Sequence, residues 1–70
     1  MNFQVGQEVI VKYASGDYLV KILRINQSFI EFKQIHGPYA YTETSFIESR
    51  KHFQKILSTT TPEEFKIENL

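Results

Sequence analysis

The chain contains no cysteine and no tryptophan, one methionine, two prolines and three glycines. Without cysteine there is no disulfide framework and no thiolate metal site, so a small cross-linked secreted scaffold is excluded. The first residues also lack the basic-then-apolar pattern of a signal peptide, and a cytoplasmic location is the expectation. No apolar run approaches the roughly 20 residues that cross a bilayer, so no membrane partner is expected. Eight basic and eight acidic side chains cancel to a net charge of zero, which argues against bulk duplex DNA or an anionic membrane surface as an electrostatic partner.

Catalytic signatures are missing as well. His36 and His52 are the two histidines and Asp17 the one aspartate. They form no Ser-His-Asp spacing, no glycine-rich phosphate loop and no His-Glu-x-x-His pattern. His36 beside Gly37-Pro38 and Asp17 beside Gly16 read as turn residues. The expectation is therefore a protein that is not an enzyme and holds no metal and no cofactor.

What is present is a short chain of 70 residues with 41% hydrophobic and 14% aromatic side chains, the composition of one small folding domain rather than of a disordered segment. A chain of this size buries roughly 60% of the surface its unfolded form exposes, a thin margin for stability. The first two thirds repeat with period two and the last third with period three to four, so a β unit followed by helix is expected.

Glu8–Tyr13 reads as the first strand, with Val9, Val11 and Tyr13 on one face and Ile10 and Lys12 on the other. Ala14-Ser15-Gly16-Asp17 is a hairpin turn, since Gly16 tolerates positive φ. Residues 18–25 make a second strand with apolar residues on both faces: Tyr18, Val20 and Ile22 against Leu19, Leu23 and Ile25. Such a strand suits a strongly curved sheet. Residues 29–33 form a third strand with Ile30 and Phe32 on one face, and His36-Gly37-Pro38 breaks it. Residues 39–44 read as a fourth strand, with Tyr39, Tyr41 and Glu43 on one side.

From Phe46 the spacing of Phe46, Ile47, Arg50, Phe53, Ile56 and Leu57 predicts an amphipathic helix over 46–57, capped by Ser45 with Glu48 three places on. A second start signal stands at Thr61-Pro62-Glu63-Glu64, with Phe65 and Leu70 placed to dock one side of a short helix. The division expected is a barrel plus helix over 1–57, then a linker and helical tail over 58–70.

Gly6-x-x-Val9, Val11-Lys12-Tyr13, Ser15-Gly16-Asp17-Tyr18, Val20-Lys21-Ile22 and Phe29-Ile30-Glu31-Phe32 together resemble the Tudor family and its Src-homology-3-like relatives over residues 5–47. The resemblance implies a small four- to five-stranded barrel, and with the helix predicted by spacing the fold expected is mostly β, a barrel carrying a C-terminal amphipathic helix. It also implies an open barrel end whose rings hold a methylated lysine or arginine by cation–π attraction. By family position those rings are Tyr13, Tyr18 and Phe32, with Tyr39 or Tyr41 as a further wall. The family's acidic or Gly-Asn loop after the third strand is replaced here by Lys33-Gln34-Ile35-His36-Gly37-Pro38, which holds a base and no acid.

Three functions follow from these residues. The leading expectation is a non-catalytic module that binds a protein partner through the aromatic end formed by Tyr13, Tyr18, Phe32, Tyr39 and Tyr41, because a tyrosine keeps a polar tip that a sealed core wastes. The alternative is single-stranded RNA or DNA on Lys12, Lys21, Arg24 and Lys33, which alternate with aromatics along three strands. A methyl-lysine or methyl-arginine peptide reader is the further alternative. The apolar surface of Phe53, Ile56, Leu57 and Phe65, with an open sheet edge, also suits an interaction module or a homodimer. Small chains rich in Ile, Lys, Asn and Gln resemble accessory proteins of bacteria and their phages.

Overall fold

The computed structural model describes residues 2–70; residue 1, where the expected barrel unit begins, lies outside them. Four strands form one antiparallel meander in the order β1-β2-β3-β4. These are β1 Glu8–Tyr13, β2 Gly16–Ile25, β3 Phe29–His36 and β4 Ser45–Ser49, followed by helices α1 Arg50–Ile56 and α2 Pro62–Asn69. The fold is mostly β, as expected. The sheet is not closed into a barrel, which corrects the finer expectation. Instead, the chain returns to the free side of β1 after α1, where Leu57 makes an isolated bridge to Val11 and the Ser58 N–H donates to the Ile10 carbonyl at 2.9 Å.

The turn between β1 and β2 shortens to Ala14-Ser15, because Gly16 pairs directly with Tyr13. Gly16 sits at φ +135°, a conformation that a side chain rarely adopts. β2 is apolar on both faces for a reason other than barrel curvature. Each face of the sheet is covered by a different helix. On one face Val11, Tyr18, Val20, Ile22, Ile30 and Phe32 enclose the α1 residue Phe53, whose ring lies 5.2 Å from that of Phe32. On the other, Ile10 and Leu19 are covered by the α2 residue Phe65.

Register shifts interrupt the β2–β3 ladder between Ile22 and Arg24 and between Leu19 and Val20. A shift changes the parity of everything beyond it. Ile22 therefore pairs with Phe32 and Ile25 with Ile30, so that Ile25 joins the α1-facing core instead of siding with Leu19 and Leu23.

β3 runs on past residue 33 to His36, which pairs with Leu19 rather than turning the chain, and two further elements differ from the sequence reading. Residues 39–44 are not a strand: two of their amides go to side chains, Tyr39 N–H donating to the Tyr18 hydroxyl and Tyr41 N–H to Gln34 Oε1 at 2.9 Å. The strand comes one segment later, at Ser45–Ser49, where Phe46 lies opposite Phe32 and Glu48 opposite Ile30. The helix expected from residue 46 consequently begins at Arg50, and its cap is Ser49, whose hydroxyl accepts from His52 N–H at 3.0 Å. Ser45 is no cap; its hydroxyl donates to Glu31 Oε2. At the second helix the reading holds: Thr61 and Glu64 form the reciprocal capping box with Pro62 in the first turn. Phe65 docks, but Leu70 stays exposed. Of the apolar appendix residues, Phe53 and Phe65 are buried and Ile56 and Leu57 are half-buried against the core.

Gly37 lies against the face of the Tyr18 ring, and a Cβ at that position would overlap the ring carbons. Gly37→Ala should therefore lower the unfolding free energy by about 2 kcal/mol through overpacking, read as a reduced urea midpoint at unchanged slope. Thr61→Ala, which removes one cap, should cost about 1 kcal/mol. A Gly37→Ala midpoint equal to wild type would show that this close approach relaxes freely.

Candidate functional site

Opposite faces of a strand receive alternate residues, so side chains adjacent in sequence are separated in space. Lys12 and Tyr13 are the first example. Lys12 pairs with Asp17 on the α2-covered face, and Lys21 pairs with Lys33 there, beside Glu8. Arg24 lies on the same face, its Nε 2.8 Å from Glu31 Oε1 and its guanidinium carbon 6.0 Å above the Phe29 ring. The Ser45 hydroxyl, ahead of Arg24, holds the Glu31 carboxyl below its ordinary pKa. The four basic residues thus share a face with acids, and Tyr13, Tyr18 and Phe32 lie on the other.

Of the five expected aromatic site residues, Phe32 is fully buried among Ile22, Ile30 and Phe53 and reaches no surface. Its place on the face of Ile30 puts it in the core. The other four meet. Tyr13, Tyr18, Tyr39 and Tyr41 line a groove of about 500 Å³ together with Gln34, Phe46 and Glu48. Tyr39 and Tyr41 are 71% and 66% exposed, whereas Tyr18 is 3% exposed and serves as the floor. The Tyr13 ring stands edge-on to Tyr18 at 5.4 Å, and Tyr41 is tilted against Phe46 at 6.4 Å.

The Tyr18 hydroxyl shares a hydrogen bond with Ser15 Oγ at 2.6 Å and accepts from Tyr39 N–H at 3.3 Å. One buried phenol therefore ties the β1–β2 turn to the segment after β3. Gln34, buried at 6% exposure, does the same for Tyr41 through its side-chain oxygen.

Phe46 and Glu48 were not among the expected site residues. Both follow from β4 being a strand, which the helical reading of 46–57 concealed. Glu48 brings a carboxylate to the groove, the acid that Lys33–Pro38 does not supply. Its nearest basic neighbour is His52, with Nε2 3.9 Å from Glu48 Oε1. Burial, reinforced by the charges of Glu48 and then Tyr18, pushes the Tyr13 phenol from 10.0 up to about 12.

A second groove of about 470 Å³ lies where α2 meets the hairpin, among Asp17, His36, Pro38 and Glu68, with His36 edge-on to Phe65 at 5.8 Å. Among the described residues no three His, Cys, Asp or Glu side chains group to hold a metal ion. No helix there is long and apolar enough to cross a membrane. No family model, no curated protein and no solved structure matches the chain.

The folded protein keeps the Tyr13 proton to about 12 while an unfolded tyrosine releases it near 10.0. The stability it contributes is therefore intact below pH 10 and is lost as pH rises towards 12. A carbon-detected NMR titration of ring-labelled tyrosine should place the Tyr13 midpoint near 12. Glu48→Gln should lower that midpoint while burial still keeps it above 10.0. An unchanged midpoint in the variant would mean that the Glu48 charge does not reach the groove.

Proposed function

We propose that this chain is a non-catalytic binding module that takes a segment of a partner protein in the groove between Tyr13, Tyr39, Tyr41 and Phe46. The observation that carries this reading is the pair of exposed rings, Tyr39 and Tyr41, held by backbone hydrogen bonds to the buried Tyr18 and Gln34. Exposed aromatics on loops fixed from below lose little freedom on binding, which is the property of interface anchors.

A methylated or unmodified basic side chain suits this groove, since Glu48 adds a carboxylate to the rings. The return of the chain to β1 at Leu57 supports kinship with Tudor and Src-homology-3-like domains. Nucleic acid is favoured less. A single-strand platform needs bases stacked on rings beside the cations, and here Lys12, Lys21 and Lys33 lie on the face away from the tyrosines, with Arg24 committed to Glu31.

Amide NMR titrations discriminate these readings. Capped basic peptides should shift the resonances of Tyr13, Tyr41, Phe46 and Glu48, and Tyr41→Ala should weaken that binding about tenfold, the effect of losing one interface anchor, with its unfolding midpoint preserved. A thymidine oligonucleotide at low salt should leave the spectrum unchanged. Salt-sensitive shifts of Lys21 and Lys33 with the oligonucleotide, and none in the groove with any peptide, would overturn the proposal.

A further inference from the structure

The groove has a wall that side chains alone do not describe. β4 is the last strand of the sheet, and it contributes Phe46 and Glu48 to the groove while its far edge carries no neighbouring strand among the described residues. The opposite edge of the sheet is occupied, since Leu57 and Ser58 bond to β1. The two edges are therefore not equivalent.

Hydrogen-bond parity fixes which β4 groups are free. Arg50 N–H donates to the Ser28 carbonyl at 3.0 Å, in line with the register that sets Phe29 opposite Ser49. In an antiparallel ladder bonded and non-bonded pairs alternate. Glu48 with Ile30 and Phe46 with Phe32 are then the bonded pairs, and Ser45, Ile47 and Ser49 turn their N–H and C=O groups outward. Natural edges are blunted by charged side chains, proline or a bulge. β4 has no proline and no bulge, its one charge, Glu48, lies on the groove face, and Ile47 at its centre is 58% exposed.

We infer that a partner segment adds to β4 as a fifth, antiparallel strand and places a basic residue and an apolar residue, two positions apart, over Glu48 and Phe46. The inference rests on the groove being the binding site, and it names how that site reads its partner. Backbone pairing to Ser45, Ile47 and Ser49 gives the segment its extended form, and alternate side chains enter the groove. Charge decides the occupant: Glu48 is the carboxylate among the rings, so the residue over it is lysine or arginine. Direction decides the order. A strand antiparallel to β4 that meets Glu48 first meets Phe46 two residues later, which gives basic-x-apolar from N- to C-terminus.

The probe is a capped pentapeptide with lysine second and phenylalanine fourth, other positions threonine or valine, titrated into labelled protein. Binding should shift the groove resonances and slow amide exchange at Ser45, Ile47 and Ser49. Three changes should each weaken it about tenfold, the effect of one lost anchor or charge contact: N-methylation of the central peptide residue, exchange of the lysine and phenylalanine positions, and Glu48→Gln. If the N-methylated peptide binds as well as the parent, strand addition is overturned and the groove reading stands. If no peptide perturbs the groove, both fall. Concentration-dependent protection of Ser45, Ile47 and Ser49 without peptide would overturn the inference in favour of pairing between two copies of the chain.

Discussion

The hydroxyl of Tyr18 is the point on which the architecture of the groove depends. It stands at the start of β2 with its ring buried against Val11 and Val20, and its oxygen bonds Ser15 on one side and the Tyr39 amide on the other. A buried phenol must satisfy its oxygen or bear the desolvation penalty. Satisfying it here requires that the hairpin turn and the segment after β3 both come to it. Gly37 allows that approach by leaving the ring face clear. The exposed rings of Tyr39 and Tyr41 are thus held by a core residue, which is how an irregular eight-residue stretch between β3 and β4 presents a defined surface.

The rest of the fold serves this placement. Two short helices on opposite faces each give the sheet an apolar cover, and the register shifts steer Ile25 to the α1-facing side and His36 to the α2-facing side, against Phe65. With α1 over one face and α2 over the Ile10–Leu19 patch of the other, the core is buried without closure of the sheet. An open sheet leaves an edge, and the edge it leaves is β4.

Much of this was legible in the sequence. The bounds of β1 and the hairpin after it follow from alternation and Gly16, and the capping box at Thr61 from its own spacing. Period-two patterns failed where backbone amides found other partners. Tyr39-Ala40-Tyr41 alternates like a strand, yet its amides bond to the side chains of Tyr18 and Gln34, contacts between residues distant in the fold that no local pattern reports. Ser45–Ser49 fits both periods, because Phe46 and Ile47 sit at helical spacing to Arg50 while Phe46 and Glu48 alternate. Pairing with β3 decides it. The same error hid Glu48 from the site. Phe32 was misplaced for a simpler reason: family position assigned it to the surface, whereas its own face, shared with Ile30, assigns it to the core. The basic residues and the rings alternate in sequence, and that alternation is what sends them to opposite faces.

The central claim is that a buried tyrosine orders a surface groove so that it can bind. Tyr18→Phe keeps the ring and its packing and removes only the oxygen that joins Ser15 to Tyr39. The decisive measurement is the affinity of this variant for the lysine-x-phenylalanine peptide by titration calorimetry. The account predicts a folded protein, less stable by about 1 kcal/mol, that binds the peptide about tenfold more weakly, the effect of one lost anchor. Wild-type affinity in Tyr18→Phe would contradict it.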